Sequence, residues 1–468
     1  MSKNFDVIVI GSGPGGYVGA IRAAQLGFNT CVIEKEKTLG GTCLNVGCIP
    51  SKALLDSSEH YSMAQKEFSD HGIELSDIKI NLAQMMKRKE KVVSTLTSGV
   101  DGLFKKNKIT RIQGRGELLS PQEVKVTTSD GKVETYTAQN IILATGSVPN
   151  SLPGFLPDGQ KILTSTEALT LNKIPNRMVV IGAGAIGLEM GSVWSRLGTQ
   201  VTVVEYADKI CGPMDAGQSR KMMTILKKQG LQFVLQAKVM GHRMSGETVF
   251  VDFESLADGT KSTLECDVVL VAAGRKPYSE GLGLEKLGIE KDARGFVQVN
   301  EHFQTKYPNI FAVGDLIPGP MLAHKAEEEG VAVAELLAGQ AGHVNYETVP
   351  SVIYTWPEFA AVGYTEEQLK KDNVPYRSGE FPFLANGRAK ASGHTDGSVK
   401  VLAHAETDKL LGVHIVGPRA SDILAEAVAV MEFGGSSEDL ARTFHAHPTF
   451  TEAVREAALA VDKRVRQI

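Results

Sequence analysis

Cysteine is scarce. The 468 residues hold five, Cys31, Cys43, Cys48, Cys211 and Cys266, too few and too scattered for the disulfide framework of a secreted domain. A reducing, cytoplasmic setting is expected, in which a disulfide that does form is catalytic more often than structural. Long apolar runs are missing as well. None approaches the ~20 residues of a membrane span, so no membrane partner is expected. The start of the chain leads straight into a strand-like Phe5-Asp6-Val7-Ile8-Val9-Ile10, with no pattern of a signal or transit peptide. An excess of positive charge is also lacking. The 50 basic and 54 acidic residues give a formal net charge of -4 and no basic stripe, which argues against nucleic acid as a partner. No low-complexity segment or long linker appears. The 42% hydrophobic and 22% charged composition is that of an ordinary globular protein, and the length suggests about three domains.

What is present is an internal repeat. Gly11, Gly13 and Gly16 follow a buried-strand pattern and open a helix, and Gly182, Gly184 and Gly187 do the same. Each turn is followed by a second β-rich run ending in an acid, Thr30 to Glu34 and Val201 to Glu205, and the spacing from first glycine to acid is identical in the two copies. A lone Gly-x-Gly-x-x-Gly is weak evidence. Strand, glycine turn, helix, strand and acid together make the dinucleotide-binding unit, where glycines let backbone approach a pyrophosphate and the helix N-terminus stabilises its charge. Two copies predict two dinucleotides.

Two further apolar strands ending in glycine, Asn140 to Gly146 and Val268 to Gly274, bracket the second repeat and read as points where the chain crosses between domains. A third, Asn309 to Asp315, reads as a parallel strand with an acid at its carboxyl end, where open α/β sheets bind ligands. Beyond about residue 347 the pattern is α+β: a helix from Tyr364 to Lys371, antiparallel strands over 381–416 with turns at Gly393 and Asp408, then helices from Ala420 to Phe433 and Thr451 to Val465. The chain is expected to be α/β, with two Rossmann-like dinucleotide-binding domains and a C-terminal α+β domain. Lys3 and the lysines of Lys87 to Lys91 read as solvated charge.

Cys43-Leu44-Asn45-Val46-Gly47-Cys48 sits just after the Glu34 strand, at the start of a helix continuing through Leu55. In an ideal helix residues five apart have Cα atoms roughly 8.7 Å apart, whereas a disulfide tolerates only about 7 Å. A bridge between Cys43 and Cys48 would therefore need an unwound first turn, which Gly41, Gly47 and Pro50 would permit. A cysteine near a helix N-terminus has its thiolate stabilised, so at least one of the pair should be reactive near neutral pH. The bland alternative is two inert buried cysteines. Zinc would need two more ligands at short spacing, and the nearest histidine, His60, is isolated; no metal is expected.

The run Gly40-Gly41-Thr42-Cys43-Leu44-Asn45-Val46-Gly47-Cys48-Ile49-Pro50-Ser51-Lys52 resembles the redox-disulfide motif of the pyridine nucleotide-disulfide oxidoreductases. The second glycine motif, Gly314-Asp315 and the terminal His445-Ala446-His447-Pro448-Thr449 follow in the family's order, so the resemblance spans the chain. It implies an FAD-binding domain from 1–147 and 275–347, an NAD-binding domain over 148–274 and a dimerisation domain over 348–468. Within the family the chain is most similar to the dihydrolipoyl dehydrogenases. Glu205 can accept from an NAD ribose hydroxyl, whereas members that bind a 2′-phosphate need arginines, and none lies between Tyr206 and Ile210.

The resemblance also implies roles. Cys43 would be the interchange thiol and Cys48 the charge-transfer thiol. His447 would be the base, oriented by Glu452. Lys52 would lie near the flavin with Glu189 as its partner, Asp315 would bind the ribityl chain and Glu34 the adenosine ribose. Thr42, Gly116, Thr145, Gly146, Ser147, Gly274 and Ala323 complete the cofactor-contacting positions. The implied reaction is oxidation of protein-bound dihydrolipoamide through FAD with reduction of NAD, in a homodimer serving the lipoyl-bearing acyltransferase of a 2-oxoacid dehydrogenase complex or the lipoyl protein of glycine cleavage. Two alternatives stand beside it: a reductase of another disulfide such as glutathione, and a non-catalytic FAD-binding docking subunit.

Overall fold

The computed structural model describes residues 3–467. The chain divides into two compact units, one drawn from 1–53, 83–150 and 274–344, the other from 54–82, 151–273 and 345–468.

The first unit is built on the strand Asn4–Ile10, paired in parallel with Thr30–Glu34 on one side and Val133–Leu143 on the other. Thr110–Gln113 extends the sheet beyond the former and Ile310–Ala312 beyond the latter, both also parallel. An antiparallel hairpin, Arg115–Ser120 and Glu123–Thr127, pairs with the first half of Val133–Leu143. Strands covered on both faces have to be apolar throughout, and Val7, Ile8, Val9, Ile141, Ile142 and Leu143 are fully buried. The helices Pro14–Gln25 and Ala323–Leu337 pack across each other: a Cβ on Gly330 would lie 2.4 Å from the Gly15 oxygen, so only glycine permits the approach.

The second unit repeats the parallel theme in the order Gln232–Val234, Gln200–Val204, Arg177–Ile181, Val268–Val271 and Ile162–Leu163. Beside it stands a three-stranded antiparallel sheet, Ala237–Ser245, Thr248–Ser255 and Lys261–Cys266. The C-terminal part has its own antiparallel sheet in the order Ser351–Ile353, Glu358–Gly363, Leu410–Gly417, Ser398–His404 and Tyr376–Pro382. The helix Glu452–Val461 seats on this sheet through Gly379, whose added Cβ would meet the Ala457 oxygen at 2.2 Å. Among the described residues no helix is long and apolar enough to cross a membrane.

The C-terminal reading needs correction at several points. Gly393 is no hairpin turn; it caps a short helix, Gly387–Ser392, in the left-handed conformation that favours glycine. The helix expected from Tyr364 begins at Glu366, because Thr365 caps it by accepting from the Gln368 amide at 3.2 Å. The helix expected over Ala420 to Phe433 is two, Ala420–Ile423 and Ala425–Glu432, and the last helix stops at Val461. Asp408 does turn the chain, with φ 60°, between Ser398–His404 and Leu410–Gly417. Lys89 is not solvated. It lies on the helix Leu82–Lys106 one turn from buried Met85, is 5% exposed, and burial pushes its pKa below that of an ordinary lysine.

Candidate active site

The two glycine turns are superposable in their chemistry. Gly11 and Gly182 have φ of 104° and 107°, and a Cβ on either would strike a carbonyl oxygen, of Ala144 at 2.4 Å and of Ala272 at 2.5 Å. Gly16 and Gly187 let helix meet turn, since a Cβ on each would lie 2.0 Å from the oxygen of Gly11 or Gly182. Gly13 and Gly184 differ: each precedes the first residue of its helix, and a Cβ there would meet nothing within 4 Å. The open space lies over helix N-termini with no side-chain cap, which is where a pyrophosphate needs room and unsatisfied amides. The acids close the motif in the same way. Glu34 accepts from the amides of Ser12 and Glu36, both at 2.9 Å, and Glu205 from those of Ala183 at 2.7 Å and Ala207 at 2.8 Å. Ser12 adds its hydroxyl to Glu34 at 2.7 Å.

Cys43 and Cys48 share the first unit with the first glycine turn. The expected unwound turn takes the form of a break: Cys43 lies in a short helix, Gly41–Val46, and Cys48 opens the next, Cys48–Lys66. Gly47, with φ -135° and ψ -115°, divides them, and its Cβ would lie 2.9 Å from the Thr42 oxygen. The loop is pressed onto the turn it serves, because a Cβ on Gly41 would come within 2.6 Å of the Gly13 Cα. In the dithiol described, Cys43 is half-buried and Cys48 exposed. The hydrogen bond to Cys48 pushes the Cys43 pKa far above an ordinary thiol, and burial adds to it. Tyr17 stands close by, its pKa pushed up to about 12 by burial, then by Glu327 and Cys43. The other three cysteines are buried, and burial raises the thiol pKa of each, to about 12 for Cys211 and about 11 for Cys266; such thiols are inert.

Lys52 lies one turn beyond Cys48 on the same helix. Glu189 belongs to the other unit, 5% exposed on the helix Ala185–Arg196, where it accepts from the Tyr354 amide at 3.1 Å. His447 and Glu452 are also in that unit. The His447 Nδ1 faces both carboxylate oxygens of Glu452, at 3.1 and 3.2 Å, and Thr449 donates its amide to the same carboxylate at 3.0 Å. The His447 side chain is 74% exposed, that of Glu452 only 4%. Burial raises the Glu452 pKa, but the Thr449 amide, His447 and Arg455 outweigh it and hold the carboxyl below its usual range. A buried, charged acid thus backs an accessible imidazole, an arrangement suited to taking a proton from an incoming group.

Thr145, Gly146, Ser147, Gly274 and Asp315 converge in the first unit. Thr145 donates its hydroxyl to the Tyr278 oxygen at 2.6 Å, Gly146 accepts the Tyr278 amide at 2.8 Å, and Gly274 accepts that of Asn150 at 3.0 Å. Ser147 donates to Asp315. Gly314, just before Asp315, donates its amide to Glu329 at 2.6 Å and accepts from Lys325 at 3.1 Å, while Lys325 and Glu329 form a fully buried ion pair at 2.9 Å. Ala323 opens the helix that carries this pair. Gly116 is a packing glycine: its Cβ would press on Ile10 at 3.1 Å and Ile33 at 3.4 Å. Thr42 is exposed beside Cys43.

Residues 5–330 match the model of the pyridine nucleotide-disulphide oxidoreductases, and residues 349–458 match the dimerisation domain of that family. The chain belongs to the pyridine nucleotide-disulphide oxidoreductases. It is 54% identical to mitochondrial dihydrolipoyl dehydrogenase of Pisum sativum, over 98% of this chain and 92% of that one. It is 55% identical to leghemoglobin reductase of Glycine max, over 98% and 88%. The crystal structure of LpdA from Mycobacterium tuberculosis is similar across 97% of this chain and 98% of that one, with a TM-score of 0.89 and 28% identity. FAD and NAD are the cofactors of this oxidoreductase, and the two open glycine turns with their uncapped helices fit two such groups.

The expectation of a cytoplasmic setting is overturned. The Pisum sativum relative is a mitochondrial protein by name, as are further relatives of plants and animals. Cysteine scarcity reports a reducing surrounding, and that is not peculiar to the cytosol. Sequence reasoning also missed Ser12, Tyr17, Glu327, the Lys325–Glu329 pair and Arg275. Ser12, inside the first glycine motif, and the Lys325–Glu329 pair, one helical turn apart, could have been found from their positions; Tyr17 with Glu327 and Arg275 with Ser147 become visible only when distant segments meet.

Proposed function

We propose that this oxidoreductase oxidises protein-bound dihydrolipoamide to lipoamide and reduces NAD to NADH. The observation that carries the reading is the hydrogen-bonded pair Cys43 and Cys48 at a broken helix, pressed by Gly41 onto a dinucleotide turn. In the homodimer that the dimerisation domain supports, His447 of the partner subunit takes the proton of one dihydrolipoamide thiol, since the thiolate is the nucleophile. That thiolate attacks Cys43 Sγ of the oxidised pair, the Cys43–Cys48 bond breaks, and Cys48 leaves as thiolate. The second substrate thiol then attacks the substrate's own sulfur in the mixed disulfide, lipoamide departs, and the proton it releases passes to the departing Cys43 thiolate, while His447 retains the first proton and Cys48 holds the charge. FAD, when bound, supplies the two-electron relay between this dithiol and NAD. Glu34 would hold the ribose of the first dinucleotide and Glu205 that of NAD, a carboxylate there disfavouring a 2′-phosphate. Lys52 would lie near the flavin. The lipoyl group would be presented by the acyltransferase of a 2-oxoacid dehydrogenase complex or by the glycine cleavage lipoyl protein.

Anaerobic titration of the purified protein with dihydrolipoamide, followed by NAD, tests this. A long-wavelength thiolate-to-flavin band should appear and then vanish with formation of NADH, and Cys48→Ser should abolish turnover. A flavin that responds to glutathione but not to dihydrolipoamide would sink the substrate assignment, and one that responds to no thiol would sink the enzyme.

A further inference from the structure

Arg275 carries an arrangement that neither glycine motif nor redox motif accounts for. It opens the short strand Arg275–Pro277, which pairs antiparallel with Ser147–Pro149, Pro277 lying opposite Ser147. From the diagonal position its half-buried guanidinium donates twice to Ser147, from Nε to Oγ and from Nη2 to the main-chain oxygen, both at 2.7 Å. Guanidinium can only donate. The Ser147 oxygen is therefore an acceptor toward Arg275, and its own proton has to point elsewhere. It points at Oδ2 of Asp315. The direction of this hydroxyl is thus set by Arg275, and the carboxylate is fixed through one oxygen with the other left to accept. Burial pulls the Arg275 pKa down, while the charges of Asp315 and then Cys48 oppose the fall.

We propose that Arg275 is a positioning residue of the FAD site, directing the Ser147 hydroxyl so that Asp315 is held ready to accept from a hydroxyl of the flavin's ribityl chain. The proposal rests on the reading of the first unit as the FAD-binding one. Without the guanidinium, Ser147 is free to turn its proton to its own backbone, and Asp315 loses both an anchor and a neighbouring positive charge.

The test is FAD affinity of the apoprotein, read by quenching of flavin fluorescence, in a double-mutant cycle of Arg275→Met and Ser147→Ala. Each single variant should bind FAD about tenfold more weakly, the worth of one charged hydrogen bond, and the double variant about as weakly as either single, because both break one chain of contacts. Losses that multiply to about a hundredfold would overturn the proposal, as would an Arg275→Met protein whose melting temperature falls while FAD affinity stays. If Arg275→Met does not fold, Arg275→Lys runs the same cycle: an ammonium lacks the planar fork that grips both Ser147 oxygens, so a smaller loss that again vanishes in the Ser147→Ala background is expected, and a loss undiminished there overturns the proposal. A wild-type protein that takes up no FAD refutes the functional reading itself, and with it this inference; wild-type uptake with unchanged variants refutes this inference alone.

Discussion

Alanine at Gly184 and alanine at Gly187 should fail in opposite ways. A Cβ on Gly187 would lie 2.0 Å from the Gly182 oxygen and 3.1 Å from a methyl of Val180, backbone on one side and a buried strand on the other. Neither neighbour yields easily, so the helix Ala185–Arg196 has to move off the strand Arg177–Ile181, at the roughly 1–3 kcal/mol typical of overpacking. In a unit of this size each kcal/mol is about 2–4 °C of melting temperature, and Gly187→Ala should melt roughly 3–10 °C lower. A Cβ on Gly184 meets nothing within 4 Å, and the φ there of -82° suits any residue. Gly184→Ala therefore costs only the weaker N-cap, about 1 kcal/mol or less. What it fills is the space over the helix amides. Excluding one charged hydrogen bond to a pyrophosphate, about 1.5–3 kcal/mol, should weaken NAD binding by about tenfold to a hundredfold. Thermal unfolding and NAD titration of the two variants check this together. If Gly184→Ala melts early with NAD affinity intact, the assignment of the open space to a ligand is wrong.

Three further outcomes follow from the geometry. Because the Cys48 hydrogen bond is the largest cause of the raised Cys43 pKa, Cys48→Ala should bring Cys43 down toward an ordinary thiol; the pH profile of iodoacetamide alkylation should shift to lower pH, and an unmoved profile would contradict it. Glu452→Gln keeps an acceptor for His447 but removes the buried charge, so kcat/KM for dihydrolipoamide should fall about tenfold to a hundredfold, while a change under twofold would remove Glu452 from the mechanism. Lys400 pairs with fully buried Asp215 at 2.8 Å. Burial raises the Asp215 pKa, but Lys400 and the Gln218 amide more than offset it, so the carboxyl lies below its usual value and its stabilisation, present above that value, is lost as pH falls through the depressed one. Asp215→Asn keeps the helix cap to Gln218 and leaves the ammonium with Glu366 as its one carboxylate, which should cost about 1.5–3 kcal/mol at neutral pH and flatten the acid limb of the stability curve; an acid limb as steep as before would refute the linkage.

The glycine turns were legible because their chemistry is local: strand, turn, helix and acid lie within one short stretch, and the same stretch occurs twice. The α/β class followed from them. Gly393 misled because a glycine with positive φ serves a helix end as readily as a hairpin, and only the packing of Gly387–Ser392 separates the two. Lys89 misled because the charged residues Lys87, Arg88, Glu90 and Lys91 flank it, so the buried face through Met85 is hidden in the sequence. Arg275 could not be read at all. It meets Ser147 only because the chain leaves the first unit after Asn150 and returns at Gly274, and no local pattern announces that return. The Cys43 to Cys48 spacing was legible as a geometric conflict, but its resolution into two helices depends on Gly47 meeting the Thr42 oxygen.

The two acids of the repeat are alike in position and unlike in how firmly they are held. Glu34 is pinned by three donors, the amides of Ser12 and Glu36 and the Ser12 hydroxyl, whereas alanine stands at the position of Ser12 in the second turn and leaves Glu205 with two. A carboxylate already immobilised gives up less freedom when a ribose arrives. On the proposed assignment of FAD to the first turn and NAD to the second, this one serine would favour a longer residence at the first turn than at the second.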